Sequence, residues 1–220
     1  MKFADVDGQR VEASPGALGV CRGCGAQAIA KCGEQVMWHW AHKPRTHCDP
    51  WWEAETEWHR RWKDRFLPAW QEAILLDEET GERHIADVWT AAGLVIEFQR
   101  SSIHPDEVKA REAFYRRMIW IVDGTRSHAD KFNFSNMRSG LDDVGRVDFV
   151  WHGRSTLFER WHSSKPVLID FGEAHGFWRI LRYDKKARKG TAAIVDITAF
   201  VALASSGSTD FSSGGGPAST

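Results

Sequence analysis

Between His84 and Gln99 the chain reads H-I-A-D-V-W-T-A-A-G-L-V-I-E-F-Q. Two strand-like runs, His84 to Thr90 and Leu94 to Gln99, flank Ala91, Ala92 and Gly93. A short glycine-containing connection between such runs predicts a β-hairpin. Centring the turn on Ala92 pairs Thr90 with Leu94 and Asp87 with Glu97. Directly opposed side chains have Cβ atoms roughly 4.5–5.5 Å apart, and like charges there are destabilising. Ala86, Val88, Ile96 and Phe98 surround the two acids, and a carboxylate in apolar surroundings needs a partner or a metal. A divalent cation meets that need, since Mg²⁺ is typically held by one or two carboxylates plus substrate phosphates. Gln99 shares the face of Glu97 by strand alternation. The pattern D-x9-E-x-Q is thus a candidate metal-dependent phosphodiesterase site. The plain alternative is an ordinary hairpin whose acids pair with Lys or Arg or point to water.

Upstream, Asp49-Pro50 suits a helix start, with Asp as N-cap and Pro at the first helical position. That helix is expected to run from Trp51 to about Leu67 and to stop at Pro68. Its apolar stripe is Trp51, Trp58, Trp62 and Phe66, and beside it Glu55, His59 and Lys63 stand at four-residue steps that meet on a helix surface. Such a stripe is commonly just an exposed, ion-paired face; here it would overhang the sheet carrying Asp87 and Glu97. Ala73 to Asp77 reads as a strand. Downstream, Pro105 opens a helix over about Asp106 to Arg117, with Val108 and Phe114 inward. Ile119 to Asp123 is a continuous apolar run ended by Gly124, the pattern of a buried strand. The expected order is helix, three strands, helix, strand.

All four cysteines, Cys21, Cys24, Cys32 and Cys48, fall in the first 48 residues. Without a signal-peptide pattern the default setting is cytoplasmic, where such placement argues for metal or redox use over a disulfide framework. Cys21-Arg-Gly-Cys24 followed by His39-Trp-Ala-His42 gives C-x2-C-x14-H-x2-H, the ligand types and number of a closed tetrahedral zinc site. Cys32, His47 and Cys48 also lie nearby, and pair spacing favours Cys21, Cys24, His39 and His42. Zinc there would be structural, because a short segment with few aliphatic side chains needs a staple.

Composition narrows the partners. The 220 residues carry 29 basic and 30 acidic side chains, so no global field steers nucleic acid to the chain and any basic footprint is local. No apolar run approaches the ~20 residues that span a membrane.

On these residues the stretch Cys21 to Gly124 resembles the competence CoiA-like nucleases of the PD-(D/E)xK superfamily. The matching motifs are C-R-G-C, H-W-A-H, E-T-E-W-H-R-R-W-K, I-A-D-V and I-E-F-Q-R-S-S-I, in the family's order. The resemblance implies a restriction-endonuclease-like αβββαβ core, a small N-terminal zinc module and a divalent-metal site that cuts DNA. It carries Glu55, His59, Asp87, Glu97 and Gln99 over as active-site positions, and Cys21, Cys24, His39 and His42 as zinc ligands. Thr56 and Trp40 depart mildly from the family's Ser and Phe. Gln99 stands where most of the superfamily has Lys, which leaves Lys63 as the candidate to assist, if helix and sheet bring it close. In this scheme Asp87 and Glu97, with Glu55 as a further ligand, hold Mg²⁺ or Mn²⁺. His59 orients a ligand or touches the phosphate, while Arg100, Lys109, Arg111 and Tyr115 contact the nucleic-acid backbone.

The expected division is an α/β protein with a zinc module over 1–50, a nuclease core over 51–124, a β-rich extension over 125–204 and a disordered Gly/Ser tail over 205–220. Strands are expected at 146–151, 156–161, 166–171, 176–182 and 192–198, forming a small antiparallel sheet. A non-catalytic zinc-finger and nuclease-fold binding module, and an RNA-directed nuclease, are the competing readings.

Overall fold

The computed structural model describes residues 1–43, 48–161 and 164–211. The architecture is mixed α/β, with two sheets and four α-helices among the described residues. The chain divides into two compact units, Met1–Trp89 and Thr90–Thr220, so the division falls inside the segment expected to form one nuclease core.

The first unit opens with β1 (Phe3–Val6), β2 (Gln9–Glu12), β3 (Leu18–Val20), β4 (Gln27–Lys31) and β5 (His39–His42), an antiparallel sheet in the order β2-β1-β3-β4-β5. These strands are short because their core is small: Ala4, Ala13, Ala28 and Trp40 are buried together. Three alanines and one tryptophan remove little apolar area from water, which leaves a module of this size short of stabilisation.

Helix α1 (Glu57–Lys63) is shorter than expected. Thr56 caps it, with His59 at the third helical position completing a capping box, so Glu55 lies ahead of the helix and not on it. Asp49 was expected as the N-cap of a helix from Trp51. Its carboxylate instead accepts from Trp51 N at 2.9 Å and Ile85 N at 2.7 Å, and pairs with His84 Nδ1 at 2.9 Å. A buried carboxylate takes as many donors as reach it, and here they come from the next strand pair. Trp58, Trp62 and Phe66 are buried as the stripe predicts, and Trp51 stacks on His84. After a 3-10 turn at Pro68–Trp70 come β6 (Gln71–Leu76) and β7 (Arg83–Trp89), paired antiparallel.

The second unit begins with the expected turn. Thr90 N donates to Leu94 O at 2.9 Å and Leu94 N to Thr90 Oγ1 at 3.1 Å, while Gly93 takes φ +77°, open to glycine at no steric cost. It continues with β8 (Val95–Gln99), α2 (Pro105–Tyr115), β9 (Met118–Asp123), α3 (His128–Met137), β10 (Arg146–Val150), β11 (Val167–Asp170), β12 (Phe177–Asp184), β13 (Lys189–Ile194) and α4 (Ile197–Ser205). The elements from α1 to β9 follow the expected order of helix, three strands, helix, strand.

The C-terminal strands do not form a separate small sheet. β11 pairs in parallel with β9, Val167 opposite Trp120, so the order runs β10-β13-β12-β11-β9-β8. The run at 156–161 is not a strand, and 197–205 is helix where a strand was expected to end. The Gly/Ser tail expected from 205 is described as far as Phe211, which is buried against Phe200 at 4.8 Å; its remainder, 212–220, lies outside the described residues. The core is aromatic, with Phe134 4.6 Å from Phe171, 5.2 Å from Phe149 and 5.4 Å from Trp178.

Candidate functional site

Two constellations stand out in the first unit. In one, Cys21, Cys24, His42 and Cys48 bring their ligand atoms within 4.8 Å of one another, a cluster that could hold a metal ion such as zinc. Cys21 N donates to Ala26 O and Gly25 N to Cys21 O, both at 2.8 Å, which folds C-R-G-C-G into a tight knuckle with Gly25 at φ +73°. Cys21 Sγ lies 3.8 Å from Cys48 Sγ, and Cys24 Sγ lies 3.4 Å from His42 Nε2. Tetrahedral zinc with Zn–S of about 2.3 Å and Zn–N of about 2.0 Å separates two sulfurs by roughly 3.8 Å and a sulfur from a nitrogen by roughly 3.5 Å. The Cys21–Cys48 and Cys24–His42 pairs are spaced for that ion.

This corrects the ligand set expected from sequence. His39 is not in the cluster; its Nδ1 lies 2.8 Å from the Met37 carbonyl oxygen. His39 and His42 sit on one strand, β5, and residues three apart on a strand point to opposite faces. Cys48 takes the fourth place. Cys32 packs against the alanine and tryptophan core, and His47 lies outside the described residues. Burial and the neighbouring Cys21 and Cys24 push the Cys48 thiol up to about 12. Three thiols crowded in this way favour deprotonation only when a cation joins them.

The second constellation surrounds Lys63, which is buried on α1. Its Nζ lies 3.0 Å from Asp87 Oδ1, 3.4 Å from Glu72 Oε1 and 3.6 Å from Glu55 Oε2. The helix does bring Lys63 to Asp87. Burial alone would lower the ammonium, but Asp87, Glu55 and Glu72 outweigh it and hold Lys63 well above the usual lysine range. Glu55 also accepts from Arg60 Nε at 2.9 Å. His59 Nδ1 accepts from Thr56 N at 3.3 Å, so the ring proton sits on Nε2. That buried Nε2 has no hydrogen-bond partner among the described residues and lies 3.6 Å from Glu53 Oε2. His59 and Lys63 therefore serve different neighbours, and the single polar stripe Glu55–His59–Lys63 dissolves.

Glu72 is the member that sequence reasoning missed. Gln71 pairs with Val88 and Ala73 with Ala86, so the register sets Glu72 opposite Asp87, and the ladder skips this pair. Glu72 sits at φ +45°, a conformation costly for any residue with a Cβ. Its carboxylate accepts from Lys2 N at 2.6 Å and Phe3 N at 3.1 Å. Burial would raise this acid, yet Lys63, the N-terminal ammonium and those backbone donors bring it down to about 2. Two acids facing each other across β6 and β7 are the signal that could have found it, once the strand is started at Gln71.

Glu97 and Gln99 belong to the second unit, on β8. Glu97 is buried and accepts from Arg111 Nη1 at 2.8 Å, and Arg111 also holds Glu107. Burial disfavours the Arg111 guanidinium, but Glu97 and Glu107 raise it further still. Gln99 Nε2 donates to Ser101 O at 3.1 Å. No family model, no curated protein and no solved structure matches the chain.

Of the residues expected to touch nucleic-acid backbone, Arg111 and Tyr115 are buried on α2, which turns Val108, Arg111, Glu112 and Tyr115 inward and leaves Phe114 half-buried. Arg100 pairs with the buried Asp123, and Lys109 is exposed. No helix among the described residues is long and apolar enough to cross a membrane.

Proposed function

We propose that the chain is a divalent-metal-dependent nuclease with a structural zinc site, of the CoiA-like type that its motifs resemble, and that its core is of the restriction-endonuclease-like kind. The observation that carries this reading is Lys63 Nζ, buried and 3.0 Å from Asp87 Oδ1 amid Glu55 and Glu72. Asp87, Glu55 and Glu72 converge on Lys63, with Arg60 also on Glu55 and the N-terminal ammonium also acting on Glu72, and carboxylate oxygens suit Mg²⁺ or Mn²⁺. Asp87 would hold the ion, with Glu55 as a further ligand. Such an ion polarises a scissile phosphate and provides hydroxide near neutral pH. Lys63 keeps its proton and so stabilises developing negative charge; it does not act as a base. His59 keeps its Nε2 proton toward Glu53 and orients the acidic segment ahead of α1. Gln99, neutral and anchored to Ser101, positions without donating a proton. DNA is the substrate that the resemblance implies, with RNA as the other arm of the test.

One observation favours a second reading, a non-catalytic binding module. Glu97 with Arg111 and Glu107, and Lys63 with its acids, form ion pairs that balance much of the buried charge with no metal. The decisive experiment incubates the protein with supercoiled, linear and single-stranded DNA and with RNA, in Mg²⁺, Mn²⁺ or neither, beside Asp87→Asn/Glu97→Gln. Cutting that needs added metal and disappears in the double variant is expected, and the substrate cut identifies the sugar. Absence of cutting in every arm, with zinc still bound, would overturn the nuclease reading in favour of the binding module.

A further inference from the structure

The second unit contains a cleft of about 410 Å³ whose lining is basic and aromatic. Lys165, Arg179, Arg182 and Lys185 face it together with Trp161 and Tyr183, and no Asp or Glu among the described residues lines it. A neighbouring cavity of similar volume, which shares Arg182, mixes Asp142 and Asp148 with Arg146.

The backbone explains where it opens. β11 pairs with β12 only as far as Val167 opposite Ile180, because Pro166 precedes and has no N–H to extend the ladder. Beyond Ile180, β12 keeps β13 on one side and no strand on the other among the described residues. The register also shifts between Ile180 and Arg182, and a bulge of this kind re-aims the side chains that follow it. Arg182 and Tyr183 thereby reach the same cavity.

Both rings are preset. Trp161 Nε1 donates to Leu157 O at 2.8 Å and its ring lies 5.3 Å from Trp120, while Tyr183 packs on Phe158 at 5.4 Å and stacks on Phe149 at 6.0 Å, with its hydroxyl buried. Among the cations, Arg179 is tied to Asp210 at 3.0 Å, whereas Arg182 and Asp148 are both largely exposed and 3.7 Å apart. Arg182 Nε also donates to Thr191 Oγ1 at 2.7 Å; the water-screened pair with Asp148 contributes little, so a phosphate in the cleft has to draw the Arg182 guanidinium from these two partners.

We infer that this cleft binds single-stranded nucleic acid, the cations tracking the phosphates and the two rings supplying platforms on which bases stack. Groove charge combined with aromatic stacking is how strands are held without reading sequence. The inference deepens the nuclease reading by naming the surface that holds the substrate strand. It is tested without divalent cation and on an Asp87→Asn background, so that lack of cleavage and lack of binding are separate results.

The experiment is fluorescence anisotropy of a labelled oligothymidine with the full chain, over a series of salt concentrations. Arg182→Glu/Lys185→Glu alters two exposed side chains, and its fold is checked by thermal melt and zinc content. Loss of two phosphate contacts is expected to weaken binding by at least ~10-fold and to lower the salt slope by about 1.4. An abasic strand of equal length is expected to bind about 5-fold or more weakly, from loss of stacking. Unchanged affinity in the double variant would overturn the cleft. Equal binding of abasic strand and oligothymidine, or tighter binding of duplex, would overturn the single-strand assignment.

Discussion

Around Lys63 the first unit encloses an ammonium and three carboxylates, and it also holds a knuckle of thiols and a histidine; around Phe134 the second unit gathers Phe149, Phe158, Phe171 and Trp178. The contrast separates two ways of holding a chain together. Rings stabilise by area removed from water and tolerate changes of pH and metal. Buried charges stabilise only while each keeps its partner, and removing one partner exposes the desolvation cost of the rest. The second unit carries ion pairs on buried carboxylates of its own, Glu97–Arg111 and Arg100–Asp123, but only the first adds a thiol cluster that could hold a metal, so its stability depends more on solution conditions.

The largest expected effect breaks the comparison by metal removal. Structural zinc in small modules contributes on the order of 10 kcal/mol of apparent binding free energy. Stripping the metal, or Cys48→Ser, is expected to abolish hydrogen-exchange protection in β3, β4 and β5 while β11, β12 and β13 stay protected. Equal loss of protection in both units would refute the division.

Phe134→Ala sharpens the other side. Truncating a fully buried phenylalanine costs about 3–5 kcal/mol, and Phe134 is 0% exposed with four aromatic neighbours. Urea unfolding followed in the second unit should show this loss, with zinc affinity unchanged.

The smallest effect is one of pH. Glu72 titrates at about 2 against an ordinary 4.5, so its contribution is fully present above the ordinary value and is lost as pH falls toward 2. Glu72→Gln should be less stable at neutral pH and should flatten the acid limb of the stability curve below about pH 4.5. An unchanged acid limb would show that Lys2, Phe3 and Lys63 do not hold this carboxylate in its charged form.

Local patterns were legible where the physics is local. The turn at Thr90–Leu94, the stripe of Trp58, Trp62 and Phe66, the strand Met118–Asp123 and the C-R-G-C knuckle each follow from spacing, punctuation and a glycine where φ is positive. The motif order from α1 to β9 likewise needs only the alternation of helix-period and strand-period runs. Partners that lie far apart along the chain were not legible. Cys48 for His39 turns on strand alternation, which turns His39 and His42 to opposite faces of β5. The shortened α1 turns on Asp49 being claimed by Ile85 and His84, and Glu72 becomes part of the Lys63 cluster only through the register of β6 against β7. Phe211 escapes a Gly/Ser tail because Phe200 offers it apolar surface. The sequence by itself determined which residue types could bind metal, carry charge or fill a core. Tertiary structure alone decided which of them meet, because a buried thiol, carboxylate or ammonium settles with whichever partner best offsets its desolvation, and that partner can lie anywhere in the chain.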